Sequence, residues 1–180
     1  MAELVLASRS PQRRAILEQL GVEFRVAPAE VEEETTGDPR RLVLENALRK
    51  ARAVEGDRVL GVDTEVFLDG QVFGKPADEA EAETLLRRLS GRTHEVWSGI
   101  ALVAGGDERS ATACTRVRFR RLEAPDLRWY LASGEWRDRA GGYAIQGRGA
   151  ALVESIEGDF WNVVGLPVQE LLRIAPDLAR

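Results

Sequence analysis

Leu4-Val5-Leu6-Ala7-Ser8-Arg9-Ser10-Pro11-Gln12-Arg13-Arg14 passes from an apolar run through a polar loop into a helix start. Leu4 to Ala7 reads as a short buried strand. Ser10 is a good N-cap, and Pro11 stands at the first helical position, where proline is tolerated. The helix is expected to run to about Leu20, closed by Gly21. Free N–H groups at such a helix start, together with its dipole, attract phosphate. Ser8 and Ser10 add hydroxyls, and Arg13 adds a fork able to grip phosphate oxygens at two points. Taken alone, the same residues also fit an ordinary capped helix with its arginines in solvent.

Outward from this unit, strands and helices stay intermixed. Phe24 to Ala27 reads as a strand, and the acidic run Glu30 to Glu34 as a loop. A helix follows Asp38-Pro39 to about Val54, with Leu42, Leu44, Ala47, Leu48 and Ala51 at helical spacing. Val59 to Val62 is a buried strand ending in Asp63, after which a sharp change of direction is expected. Val66–Leu68 and Gln71–Phe73 flank Asp69-Gly70, a strong hairpin turn. Asp78 caps a helix to about Leu89. Glu95–Val103 and Ala111–Phe119 read as longer strands about Ala104-Gly105-Gly106-Asp107, followed by a helix over Pro125–Ala132. Ser133 to Gly149 is a long glycine-rich loop. A strand near Ala151–Ser155 and a helix over Pro167–Ile174 complete an α/β pattern with a mixed sheet.

The chain has 180 residues, in the range of one compact domain, and is 44% hydrophobic and 31% charged. No apolar run approaches the roughly 18 residues of a membrane span. Met1 to Leu6 carries an acid and enters a strand pattern, which does not read as a signal peptide. Cys114 is alone, so a disulfide within the chain and a cysteine zinc site are excluded. A cytoplasmic setting is expected. The net charge of -5 argues against a nucleic-acid groove binder, yet local cations can still hold a small polyanion. Of 25 basic residues only Lys50 and Lys75 are lysine. Genome composition or heat adaptation could favour arginine. Two retained lysines point to places needing a compact ammonium, or else to leftovers on a solvated face.

Asp63 at a strand end beside a cleft is where ligands bind in α/β sheets. Glu33, in the acidic loop, could approach it, and two carboxylates with open positions suit Mg²⁺. Lys75, held extended by Pro76, and Lys50, late in its helix, could both reach a triphosphate. His94, the single histidine, builds no triad or zinc motif and reads as structural. Trp97, Trp129, Trp136 and Trp161 read as core or interface aromatics, and Cys114 as a small buried residue.

These pieces resemble the Maf family of nucleoside triphosphate pyrophosphatases. The resemblance rests on the Leu6–Arg14 stretch, Glu33, Lys50-Ala51, Gly61-Val62-Asp63-Thr64, Gly74-Lys75-Pro76 and Ser90-Gly91-Arg92-Thr93-His94. It continues in Ser133-Gly134-Glu135, Ala140 to Gly147, and Asn162-Val163-Val164-Gly165-Leu166-Pro167, all in family order. It implies one Maf-like domain, a mixed α/β fold of two lobes around a deep cleft, often dimeric. It also implies hydrolysis of nucleoside triphosphates to monophosphate and pyrophosphate, with Mg²⁺ or another divalent ion such as Mn²⁺ or Co²⁺. Asp63 then takes the catalytic and metal-holding place and Glu33 a metal-linked one. Ser8, Arg13, Lys50 and Lys75 take the phosphate-binding places.

The departures fall where base choice is decided. In the subgroup favouring dTTP and UTP, position 12 is typically arginine, with threonine at 64 and glutamine at 146. Here Thr64 and Gln146 match and Gln12 does not. Gln146 offers an amide suited to a uracil or thymine edge. Glu65 replaces the usual apolar residue after Asp-Thr. The resemblance therefore leans to pyrimidine triphosphates in a housecleaning or division-linked role. A nucleotide-binding regulator of septum formation with little turnover is the alternative.

Overall fold

A computed structural model describes residues 3–179. Met1 and Ala2, part of the stretch read above as not a signal peptide, lie outside the described residues, as does Arg180. Seven strands form one sheet: β1 (Leu4–Leu6), β2 (Phe24–Val26), β3 (Arg58–Leu68), β4 (Gln71–Phe73), β5 (Thr93–Ala104), β6 (Asp107–Phe119) and β7 (Val153–Glu157). Six helices accompany them: α1 (Pro11–Gln19), α2 (Pro39–Arg52), α3 (Glu79–Leu89), α4 (Ala124–Leu131), α5 (Phe160–Val164) and α6 (Val168–Ile174). The sheet order is β2-β1-β3-β5-β6-β7, with β4 also on β3. β1 pairs parallel with β2 and β3, and every other pairing is antiparallel, so the sheet is mixed as expected.

The break expected after Asp63 does not occur. β3 runs unbroken through it, because pairing with β5 continues from Arg58↔Ala104 to Phe67↔Glu95 and sets Asp63 opposite Gly99. The interruption lies on the other edge of the strand. There β1 pairs only with Arg58–Leu60 and β4 only with Val66–Leu68, leaving residues 61–65 without a neighbouring strand. That gap opens the sheet at its centre.

Side chains alternate across β3. Leu60 and Val62 join Ile16 and Leu17 of α1 and Leu171 and Ile174 of α6 in one core. Val66 and Leu68, on the same face, join α3 and α4 around Phe119, Tyr130 and Tyr143. Val59, on the opposite face, packs against Ala47 and Ala51 of α2. The long strands are thus shared by two lobes, with the edge gap between them.

α2 lies close on its face because that face carries two glycines beside Asp63. A Cβ on Gly61 would stand 2.1 Å from Ala47 O, and one on Gly99 2.2 Å from Val43 O. Asp38 caps α2 by accepting from Arg41 N at 3.0 Å. Ser10 caps α1 through Arg13 N, as the sequence indicated.

Three further expectations change. The Ser133–Gly149 loop contains 3-10 turns at Ala140–Gly142 and from Arg148, with Tyr143, Ala144 and Ile145 buried between them. α5 is an additional helix, capped by the Asp159 side chain on Trp161 N (2.8 Å) and ended at Gly165 with φ 133°. Cys114 is exposed, not buried, because on β6 it shares the outward face with Arg116 and Arg118, while Thr115 and Val117 point inward. Of the tryptophans, Trp136 is core and Trp129 is exposed. No helix among the described residues is long and apolar enough to cross a membrane.

Candidate active site

A cleft of about 520 Å³ opens over the gap beside β3. Because residues 61–65 have no neighbour on that edge, groups from both faces of the sheet converge there. Ser8, Gln12, Arg13, Glu33, Lys50, Thr64, Lys75 and Gln146, all singled out by sequence, line it. Asp63 is the exception: it is 3% exposed and lies beneath Lys50.

On the α2 face, Lys50 Nζ sits 2.8 Å from Asp63 Oδ1 and 2.8 Å from Glu33 Oε2, and it donates to Val62 O at 3.4 Å. The other Asp63 oxygen accepts from Asn46 Nδ2 at 3.1 Å. Asn46 also fastens the acidic loop, accepting from Glu34 N at 2.7 Å and donating to Glu34 O at 2.9 Å. Asn46 was missed by sequence reasoning. Its signal was a polar side chain four residues before Lys50 on a helix face otherwise filled by Leu42, Val43, Ala47 and Ala51.

Glu65 follows two residues after Asp63 on the same face. Burial, then the charges of Asp63 and Glu33, push its carboxyl up to about 8, against the pull of Lys50 and Lys75. Its Oε2 is buried without a hydrogen-bond partner. Among the described residues no three carboxylate, histidine or cysteine groups are set to hold a metal. Glu33 and Asp63 already converge on one cation, the Lys50 ammonium, and are hard oxygen donors. They fit an ion that takes two carboxylates from protein and completes its shell from substrate and water, the habit of Mg²⁺.

On the opposite face, Arg13 ties three elements together. Its Nε donates to Gly165 O (2.9 Å), Nη1 to Ser8 Oγ (2.9 Å) and Nη2 to Thr64 Oγ1 (3.2 Å). Burial lowers its pKa, opposed by Asp63, Glu33 and Glu65. A guanidinium has five N–H donors, and these bonds use three of them in a residue that lines the cleft. Thr64 also meets Ser98 Oγ at 2.8 Å and Gly165 O at 3.3 Å. Ser98 and Gly165 are thus supports that sequence reasoning did not assign.

Across the cleft stand Asp138, Arg139, Ala140, Tyr143 and Gln146. Arg139 meets Gln12: the carboxamide turns its oxygen to the guanidinium and its nitrogen to Ser10 Oγ (2.7 Å), since arginine offers only donors. Gln146 and Lys75 are exposed on the rim. His94 keeps a structural place. It is buried, its Nε2 is 2.8 Å from Tyr143 Oη, and burial lowers its pKa to about 4.

The Maf-like protein family matches residues 3–177, and the chain belongs to it. The dTTP/UTP pyrophosphatase of Symbiobacterium thermophilum is 51% identical over 97% of this chain and 93% of its own length. Those named likewise from Thermus thermophilus and Thermococcus gammatolerans are 47% and 45% identical, each over 95% of this chain and 92% and 94% of their own. Likeness to the solved Ham1 protein of Staphylococcus aureus is distant: TM-score 0.47 and 18% identity over 65% of this chain and 71% of that one.

Proposed function

We propose that the chain is a nucleoside triphosphate pyrophosphatase acting on pyrimidine nucleotides, dTTP and UTP foremost, and releasing the monophosphate and pyrophosphate. One observation carries the reading. The buried Lys50–Asp63 pair, with the exposed Glu33 on the same ammonium, meets the Ser8–Arg13 helix start and Lys75 at a single opening in the sheet. The names of the relatives supply the substrate class.

The chemistry follows from what each residue can do when a triphosphate arrives. Lys50 exchanges its two carboxylate partners for phosphate oxygens, which frees Asp63 and Glu33. Lys75 and Arg13 add positive charge where the leaving pyrophosphate becomes more negative. Ser8 and the α1 N-terminus cradle the phosphate chain. Asp63 accepts the proton of the attacking water as its oxygen bonds to the α-phosphorus and the bond to the bridging oxygen breaks. Glu33 and Asp63 would hold Mg²⁺, or Mn²⁺ or Co²⁺ in its stead, which would neutralise phosphate charge and polarise the water. Thr64, Gln12 and Gln146 belong to the wall facing the nucleoside. A cytoplasmic homodimer with a housecleaning role is part of this reading, its assembly checked by sedimentation.

The test is a product assay with Mg²⁺ and UTP, dTTP, CTP, dATP or GTP, scoring pyrophosphate apart from single phosphate. UMP and pyrophosphate in equal amounts are expected from UTP. Asp63→Asn should lose at least about 10²-fold in kcat while retaining its circular dichroism spectrum. Stepwise release of single phosphate, or no turnover, would overturn the reading and leave a nucleotide-binding regulator in its place.

A further inference from the structure

Two walls of the cleft carry different charged residues. At one, Glu33, Asp63 and Glu65 lie within electrostatic reach of Lys50, Lys75 and Arg13. At the other stands Arg139, whose charged neighbours are Glu135 and Asp138, with Tyr130 beside them. None of these belongs to the first set, and Arg139 meets α1 at Gln12, beside Arg13. It lines the cleft, is half-buried, and among the described residues pairs with no carboxylate at ion-pair distance. Its guanidinium instead faces the Gln12 carboxamide oxygen.

The backbone that carries Arg139 is fastened. Asp138, directly before it, is held at φ 57°, a left-handed conformation that few residues other than glycine adopt. The Arg139 carbonyl accepts from Gly142 N at 3.0 Å, and Gly141 N donates to Gly74 O at 3.1 Å. A Cβ on Gly141 would meet the Val66 methyls at 3.0 and 3.2 Å, so this turn is pressed against β3. The side chain therefore leaves a fixed point and reaches over the cleft towards α1.

A guanidinium offers five donors and no acceptor. Among pyrimidines, uracil and thymine carry a carbonyl oxygen at position 4, an acceptor, whereas cytosine carries an amino group there, a donor. The amide oxygen of Gln12 has the chemistry of that base carbonyl. We propose that Arg139 is a specificity-determining residue, whose guanidinium exchanges the Gln12 oxygen for the O4 carbonyl of uracil or thymine and turns away the amino group of cytosine. This rests on the proposed pyrophosphatase function, and it assigns a base-reading donor on the wall opposite α1.

The experiment compares kcat/KM for UTP and CTP, with Mg²⁺, in the wild type, Arg139→Ala and Arg139→Lys. Inhibition by inorganic tripolyphosphate and calorimetric binding of UMP and CMP are measured alongside. Arg139→Ala should lower kcat/KM for UTP by about 10–100-fold, the range of a hydrogen bond to a charged group. CTP should change by less than about 3-fold on the same scale, so the preference collapses. Arg139→Lys, still donor-only, should keep the direction of the preference, and UMP binding should weaken in Arg139→Ala while CMP binding does not. Equal losses on UTP and CTP with weakened tripolyphosphate inhibition would move Arg139 to the phosphates and overturn the proposal, as would unchanged ratios. If the wild type releases no pyrophosphate, the proposed function fails by itself, and UMP against CMP binding still decides the role of Arg139.

Discussion

Lys50 holds two carboxylates, Asp63 and Glu33, each at 2.8 Å, with its own side chain 11% exposed. Truncating one member of a buried ion pair leaves the other charge uncompensated, a loss of about 3–5 kcal/mol. Lys50→Met should therefore lower stability by about 3 kcal/mol in urea unfolding at neutral pH. It should also abolish turnover, whereas exchanging an exposed arginine such as Arg87 should do neither. Two other residues set opposite pH dependences. Glu65 is pushed from 4.5 to about 8 in the folded protein, so the unfolded chain gives up its proton first. Its contribution is full below pH 4.5 and is lost as pH rises to about 8, and Glu65→Gln should remove that decline from a series of melting temperatures. His94 is lowered from 6.5 to about 4, so the unfolded chain takes up a proton first as pH falls. Stability should fall between pH 6.5 and 4, and His94→Gln should flatten that limb. At this scale the sequence was informative about charge and silent about distance. The scarcity of lysine marked Lys50 and Lys75, but nothing in the residue order says that Lys50 covers Asp63 or that Asn46 holds the second oxygen.

Helix α2 connects these side chains to the sheet, and Gly61 and Gly99 determine how closely it lies. Their hydrogens face Ala47 O and Val43 O, so an added methyl group must push the helix backbone away. Asn46 and Lys50 would retreat from Asp63 with it. Gly99→Ala should cost about 3 kcal/mol, at the upper end for overpacking a core. It should lower kcat more than KM, measured with UTP, although residue 99 touches no substrate. Helix and hairpin signals were legible because they are local: Ser10-Pro11, Asp38-Pro39, Asp78 and Asp69-Gly70 act through their immediate neighbours. The continuity of β3 was not, because Asp63-Thr64-Glu65 is polar and its strand conformation comes from ten consecutive pairings with β5. α5 escaped for a related reason: five residues carry little periodicity, and its cap and closing glycine bracket a segment too short to stand out.

For the molecule as a whole, the long strands couple the two lobes, and a ligand in the cleft contacts both. A ligand that binds only the folded state adds RT ln(1 + [L]/Kd), about 2.7 kcal/mol at 100 times Kd. For a chain of this size that corresponds to a rise of roughly 5–10 °C in melting temperature. We expect such a rise for Asp63→Asn with UTP and Mg²⁺, where binding is separated from turnover, and none with uridine alone. The class of fold and most of the polar residues that line the cleft could be read in order along the chain. Their convergence could not, because it depends on β1 and β4 stopping short of each other on one edge of β3. That stop has an isotopic signature. Backbone groups of even-numbered β3 residues point to this edge, as the bond from Ala7 N to Leu60 O and the reach of Lys50 to Val62 O indicate. Odd-numbered ones point into the ladder with β5. Along Gly61–Glu65 amide deuteration should therefore alternate, fast at Val62 and Thr64 and slow at Gly61, Asp63 and Glu65. A bound nucleotide should erase the alternation, so the strand itself reports when its open edge is filled.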